Sequence, residues 1–114
     1  MADDIAPLTP LPIPVATADH INGQGGTLIG PCFGVIVRSP GFGRNLVGGF
    51  KSLKKGDITE YSGTLEEARQ HAVERMVEHA QGQGANAVTC LRFDSSDISQ
   101  DLVEVVAYGT AVTL

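Results

Sequence analysis

The final segment, Leu102–Leu114, constrains the fold more than any other part of the chain. A strand with one solvated face alternates between apolar and polar side chains. Here both faces are largely apolar: one carries Val103, Val105, Ala107, Gly109 and Ala111, and the other carries Leu102, Glu104, Val106, Tyr108, Thr110 and Val112. We therefore predict a strand that a helix covers on its small-residue face and another subunit covers on the opposite face.

A long helix is predicted before this strand. Thr64-Leu-Glu-Glu67 has the pattern of a capping box, which favours a helix start at Thr64. Gly84 provides a natural stop, because a left-handed residue after a helix is least strained as glycine. Between them one apolar stripe recurs at helical spacing: Leu65, Ala68, Ala72, Val73, Met76, Val77 and Ala80.

Two more strands complete an α+β pattern. Thr27–Arg38 is a long apolar run in which Gly30-Pro31 indicates a bulge or an edge position. Ala85–Phe93 alternates as a second strand, and the polar segment Asp94–Asp101 is predicted to be a turn.

The remaining segments are shorter. Four prolines within residues 1–14 favour an extended arm, so residues 1–12 are taken as a Pro-rich arm and residues 13–114 as one domain. Val15–Ile21 is compatible with a short strand. Leu46, Phe50 and Leu53 are spaced as on one face of a short helix.

The charge of the chain argues against nucleic acid as a partner. The net charge is −5 over 114 residues, whereas phosphate binding requires a basic footprint. No acidic residue lies between Asp19 and Asp57, and five basic residues do: Arg38, Arg44, Lys51, Lys54 and Lys55. This separation suits a small anionic ligand, contact between two surfaces of an assembly, or simply two solvated surfaces of opposite sign.

The sequence also predicts a cytoplasmic protein with no membrane partner. No apolar run approaches the roughly 18–20 residues that span a bilayer. The start, Met1-Ala-Asp-Asp, lacks the basic and apolar regions of a signal peptide. Cys32 and Cys90 are too few and too far apart for a disulfide framework, so we expect reduced thiols.

Catalytic motifs are missing, and we predict that the chain is not an enzyme. The glycine clusters do not match a phosphate loop or a dinucleotide fingerprint. No spacing places a histidine beside Cys32 or Cys90 as a base, and a lone strand cysteine favours a core position.

Candidate metal ligands lie on the long helix and at the two cysteines. Glu67, His71, Glu74 and Glu78 share one side of the helix, where charged residues are also expected simply because that side faces solvent. His79 lies at the edge of the apolar stripe, which indicates a packing contact. A thiolate site would need Cys32 and Cys90 close together, for instance across a subunit boundary.

Several motifs resemble the YbjQ family of small proteins, over about residues 13–114. They are Gly56-Asp-Ile-Thr-Glu-Tyr61, Glu67-Ala-Arg69, Ala72-Val-Glu-Arg-Met76, Gly84-Ala-Asn-Ala-Val88, Leu91-Arg-Phe93 and Ala107-Tyr-Gly-Thr-Ala-Val112. The resemblance implies a β-α-β-β subunit, a dodecin-subunit-like two-layer sandwich with an extra short helix and short strands, that assembles as a pentamer. It also implies a divalent heavy metal as the ligand, although it carries over no cysteine or histidine motif. Cys32, Cys90 and His71 are the candidate ligands because of their side-chain chemistry alone.

Two hypotheses about function follow. The first is a homo-oligomeric protein that binds a heavy metal or a small anionic ligand at subunit boundaries. The alternative is a non-enzymatic structural or interaction module, in which the ring presents the Pro-rich arm and the basic segment to a protein partner.

Overall fold

The computed structural model describes residues 10–38, 59–99 and 102–114, with residues 59–64 described as helical backbone. In these ranges the chain forms four elements: β1 (Thr27–Arg38), α1 (Thr59–Gly82), β2 (Ala87–Ser99) and β3 (Leu102–Thr113). The strands pair antiparallel in the order β1-β3-β2, so β3 lies between the other two. The predicted α+β class and the β-α-β-β order are confirmed, and the position of the last strand between the other two is new information from the structure.

The helix covers one face of the sheet and makes a two-layer structure. Helix residues Ala68, Ala72 and Met76 are fully buried against the small side chains of β3 and against Cys32 of β1. The approach is closest at Gly34, where a Cβ atom would overlap the Ala72 carbonyl oxygen and the Met76 amide. Because only 5% of the residues are aromatic, this core depends on close approach of the backbones at small residues.

The helix begins earlier than predicted. It starts at Thr59 rather than at Thr64, so the capping-box interpretation is wrong. A capping pattern marks a possible start, but residues 59–63 contain no proline and only Gly63 has poor helix propensity, so the helix extends backwards. At the other end Gly84 takes a φ of +94°. The Ala85 amide donates to the Ala80 carbonyl at 3.0 Å and the Gly84 amide to the Gln81 carbonyl at 2.9 Å, which is a Schellman motif.

Strand β2 is longer and less regular than predicted. Residues 94–99, predicted to be a turn, continue the strand opposite β3, and Ser96 Oγ donates to Glu104 Oε1 at 3.0 Å. Cross-strand pairing therefore overrides the local turn preference of this polar stretch. The alternation predicted for Ala85–Phe93 is also wrong, because a bulge between Thr89 and Arg92 returns Phe93 to the helix side.

The first strand pairs along its length with β3, whereas the segment before it makes only isolated bridges. β1 is an edge strand with a register shift between Leu28 and Gly30, as its Gly-Pro pair indicates.

Residues 14–18 run beside the outer edge of β2 without forming a named strand: the Ala16 amide donates to the Val88 carbonyl at 2.9 Å. The predicted Val15–Ile21 strand is reduced to isolated bridges, and Asn22 and Gly23, with φ of 52° and 81°, form the tight turn after it.

Two expectations fall outside the described residues. The short helix around Leu46–Leu53 lies there, as do residues 1–9 of the Pro-rich arm. Leu11 and Ile13, which are described, pack against the core between α1 and the sheet. Among the described residues no helix is long and apolar enough to cross a membrane.

Candidate functional site

The sheet face that points away from α1 carries a strip of exposed apolar side chains. Because Cys32 and Gly34 face the helix, the alternate residues of β1 face the opposite way. They pair across the ladder with residues of β3: Phe33 with Tyr108, and Val35 with Val106. We call this strip the uncovered face and define it by five residues: Phe33, Val35, Val37, Val106 and Tyr108.

Four of the five apolar side chains that define the uncovered face are exposed to solvent. Phe33 is 49% exposed, Val35 40%, Val37 51% and Tyr108 40%. At the other end of the same sheet face Ala87, Thr89 and Val112 are buried. A contiguous strip of large apolar side chains is typical of a surface that another molecule covers.

Polar residues of β2 border this strip. In the register of the sheet Arg92 lies opposite Tyr108, Asp94 opposite Val106 and Ser96 opposite Glu104. An apolar centre with a charged border is the arrangement of a protein–protein interface.

A charged cluster joins the end of β1 to the helix. Arg38 Nη2 lies 2.6 Å from His71 Nδ1, and Arg38 Nη1 lies 3.3 Å from Glu67 Oε1. Since a guanidinium only donates, His71 Nδ1 accepts and the ring proton sits on Nε2. The lone pair that a metal ion would use at Nδ1 is therefore engaged by Arg38.

Cys32 is a core residue. Its side chain is fully buried among the helix-facing residues, and burial raises the pKa of the Cys32 thiol. The thiol rather than the thiolate is the favoured form, which weakens it as a metal ligand or nucleophile.

Cys90 lies in the bulge of β2 and is half-buried. Its φ of +59° is in the left-handed region, which side chains other than Gly, Asn and Asp seldom adopt. The Cys90 amide donates to the Ala18 carbonyl at 3.0 Å, so the N-terminal segment holds this backbone in place. Among the described residues no hydrogen bond joins Cys32 or Cys90 to a histidine.

The three candidate metal ligands do not come together in one chain. Cys32 faces the helix layer, Cys90 lies in the bulge of β2, and His71 contacts Arg38. Within residues 10–38, 59–99 and 102–114, no group of three or more His, Cys, Asp or Glu side chains is placed to hold a metal ion. The described part of a single chain thus does not fit a metal ion, and the assignment to Cys32, Cys90 and His71 stays a prediction.

The other two histidines have separate partners. His20 Nδ1 contacts Asp19 Oδ1 at 2.8 Å, and this hydrogen bond lowers the pKa of the Asp19 carboxyl. His79 contacts β1: its ring stacks on Phe33 with centroids 6.0 Å apart, and its Nδ1 accepts from the Phe33 amide at 2.9 Å. The predicted packing contact of His79 is confirmed, but its partner is 46 residues away in the sequence, and no local signal identifies it.

Comparison with known proteins places the chain in a family. A family model described as "Putative heavy-metal-binding" matches residues 13–114. A UPF0145 protein of Bradyrhizobium sp. (strain ORS 278) is 46% identical over 101 residues, which cover 88% of this chain and 91% of that protein. A UPF0145 protein of Thermoplasma volcanium is 50% identical over 101 residues, covering 88% and 83% respectively.

A solved structure shares the fold. It is a protein of unknown function of the DUF74 family from Pediococcus pentosaceus, with a TM-score of 0.64, 12% identity, and coverage of 90% of this chain and 97% of that one. At this identity the similarity concerns the fold alone. The match over residues 13–114 and the identities of 46% and 50% show that the chain belongs to the YbjQ family, whose curated relatives are named UPF0145 proteins.

Proposed function

We propose that this protein is a non-enzymatic homo-oligomer, a pentamer, that assembles by burying the uncovered face against a neighbouring copy. The observation that carries the proposal is the exposure of Phe33, Val35, Val37 and Tyr108, with half-buried Val106 among them, on the sheet face opposite α1. In a five-fold ring each contact joins two different surfaces, so every copy both covers one neighbour and is covered by the other.

The occupant of the uncovered face is another copy of this chain. Phe33 and Tyr108 on facing strands provide rings of the kind that dominate stable interfaces. The bordering Arg92 and Asp94 have opposite charges, which lets the border meet surfaces of either sign on a neighbour. The helix layer already buries the other sheet face, so this is the apolar sheet surface that the described elements leave open.

A single charge in the centre of the strip tests the assembly. Val35→Lys places an ammonium group between Phe33 and Val37, where a second copy would have to desolvate it. We expect the mass measured by light scattering to fall to that of one chain. The matched control, Gln24→Lys, adds the same charge at the exposed turn near Asn22 and should leave the mass unchanged.

Circular dichroism of both variants shows whether the helix is retained, as we expect because Val35 faces away from α1. A folded Val35→Lys chain that keeps the mass of the parent would contradict assembly through this face. Loss of the oligomer in both variants would equally contradict it, because the effect would then not depend on the strip.

We propose in addition that the ligand of the oligomer is a divalent heavy metal bound at a subunit boundary, with Cys32, Cys90 and His71 as candidate ligands. The description of the family model supports the class of ligand. Because these residues lie apart within one chain, such a site would have to take its ligands from more than one copy. Cys90, the more accessible thiol, is the candidate on which such a site depends most.

Elemental analysis of untagged protein tests the metal proposal. We expect stoichiometric metal in the parent protein and its loss in Cys90→Ser, with Cys32→Ser and His71→Ala separating the other two candidates. Arg38→Met frees His71 Nδ1 and should raise the metal content or affinity if His71 is a ligand. Protein without stoichiometric metal, or variants that all retain it, would remove these residues as the site.

A further inference from the structure

The outer edge of β2 is paired with a segment of the same chain. Residues 14–18 run parallel to β2, with Val15 beside Val88. The Val88 amide donates to the Pro14 carbonyl at 3.0 Å, and the Ala16 amide donates to the Val88 carbonyl at 2.9 Å. The chain has therefore added a short parallel strand to the edge of its own sheet.

This pairing ends at the bulge of β2, where Arg92 joins the two segments. The Leu91 amide donates to the Ala16 carbonyl at 3.0 Å. One residue further along β2, Arg92 Nη1 donates to the Thr17 carbonyl at 2.9 Å and to the Leu91 carbonyl at 2.8 Å. The Arg92 side chain thus fastens the end of the added segment to β2.

The side chains before and within this segment alternate between the core and solvent. Leu11, Ile13 and Val15 are partly buried and pack against the core, and the residues between them are exposed prolines: Pro10, Pro12 and Pro14. We call residues 10–18 the strap. A peptide that joins a sheet edge in this way takes its affinity from backbone hydrogen bonds and its specificity from alternate side chains.

The strap binds its own chain efficiently because it is restrained and tethered. Its prolines favour an extended backbone, which reduces the conformational entropy lost when the strap is ordered. Residues 19–26 connect it to β1, and a short tether of this kind gives a local concentration on the order of millimolar. A second copy at micromolar concentration does not displace the strap while its bonds are intact.

We propose that the edge of β2 from Val88 to Leu91 is a binding site for the strap of a second copy, which each chain closes with its own strap. Every copy carries the same segment, so the contacts that form within one chain fit equally between two. The backbone bonds lie in the plane of the sheet, so this contact is independent of the uncovered face. Loosening the strap opens the site and lets two copies exchange straps.

Binding of a fluorescently labelled peptide of residues 10–20 to the full chain tests the site. Ala16→Pro removes the amide that donates to Val88 and weakens the strap in its own chain. We expect the peptide to bind this variant about tenfold more tightly than the parent, because the competing strap has lost one hydrogen bond. The matched control, Ala16→Ser, keeps the amide and should bind the peptide as the parent does. Equal affinity of Ala16→Pro and the parent would overturn the proposal.

Two altered peptides test whether the strap itself is the recognised segment. One carries the Ala16→Pro substitution, and the other has the residues of the strap in scrambled order. Both should bind the Ala16→Pro chain at least about tenfold more weakly than the parent peptide. If either binds as tightly, the edge does not recognise this segment, and a second copy is not the partner.

Arg92→Met tests the same site without removing a backbone hydrogen bond. It removes the side chain that joins Thr17 to Leu91, so it should also tighten binding of the parent peptide. Circular dichroism shows whether each variant keeps its helix. If Ala16→Pro does not fold, an unchanged affinity of folded Arg92→Met would overturn the proposal.

Amide hydrogen exchange locates the bound peptide. In the Ala16→Pro chain the Val88 and Leu91 amides should lose protection and regain it when the parent peptide is added, because its carbonyls replace those of the strap. A peptide that binds without protecting these two amides would lie elsewhere on the chain and would contradict the site.

Discussion

Cys90 carries local strain that its sequence context does not reveal. Its left-handed backbone, with φ of +59°, costs an L side chain about 1–2 kcal/mol, a cost that glycine does not have. The bulge and the bond from its amide to the Ala18 carbonyl hold the backbone in this conformation.

We therefore predict that Cys90→Gly is more stable than Cys90→Ala by about 1 kcal/mol, reversing the usual order of the two residues. Urea denaturation at neutral pH measures the difference. Cys32, which does not have a positive φ, is the control: there Ala should be the more stable replacement. An alanine variant at position 90 that equals or exceeds the glycine variant would contradict the strain.

Burial of Cys32 makes stability depend on pH in the alkaline range. The pKa of this thiol is raised in the folded chain above its ordinary value of 9.0. The unfolded chain therefore loses the proton first, so the contribution of the thiol is complete below about pH 9 and declines as the pH rises towards the folded value.

We predict that the difference in unfolding free energy between the parent and Cys32→Ala narrows from pH 8 to pH 10. Because the two proteins share every other titrating group, the difference between their unfolding free energies reports on the Cys32 thiol alone. Denaturation at each pH measures it. A difference that stays constant or widens across this range would show that the thiol is not held in its neutral form.

The contact between α1 and β1 depends on the absence of a side chain at Gly34. A Cβ atom there would overlap backbone atoms of Ala72 and Met76, which cannot move independently of the helix. Overpacking of this kind costs about 1–3 kcal/mol, and more where backbone must shift.

Gly34→Ala should therefore lower the unfolding free energy by about 3 kcal/mol, measured by thermal or urea denaturation. The control is Gly82→Ala at the end of α1, where a Cβ would meet nothing within 4 Å and should be neutral or stabilising by up to about 1 kcal/mol. Equal stability of Gly34→Ala and the parent would contradict the close approach.

At the scale of elements, the sequence predicted those features that the periodic burial of apolar residues determines. The helical stripe and the alternation of β3 predicted the helix, the last strand and the face between them, because burial of periodic apolar residues decides all three. The Thr64 start and the turn predicted over residues 94–99 were wrong because capping and turn preferences are weak against helix extension and strand pairing. The Asn22-Gly23 turn had a sequence signal, since Asn-Gly is typical of tight hairpin turns.

The contacts of the candidate site were less predictable. His79 with Phe33, and Arg38 with His71, join residues 46 and 33 positions apart. Their pairing follows from how α1 crosses β1, which no local pattern encodes. The sequence indicated that His79 makes a contact and that Cys32 is a core residue, but not that Arg38 engages His71 Nδ1.

At the scale of the whole molecule, the two sheet faces differ in what covers them. The helix buries one face, and the described residues leave Phe33, Val35, Val37 and Tyr108 between 40% and 51% exposed on the other. In the assembly that we propose, the strands are apolar on both sides because the sheet is an interior layer between copies. Both the proposed ring and the proposed metal site at its subunit boundaries depend on that burial.

The mass of the untagged parent protein in solution tests this account most directly. Size-exclusion chromatography with light scattering at micromolar concentration should give about 60 kDa, five times the 11.9 kDa of one chain. A different multiple would retain burial by another copy but contradict the five-fold ring. A mass of one chain would contradict the central claim, because the uncovered face would then be exposed to water.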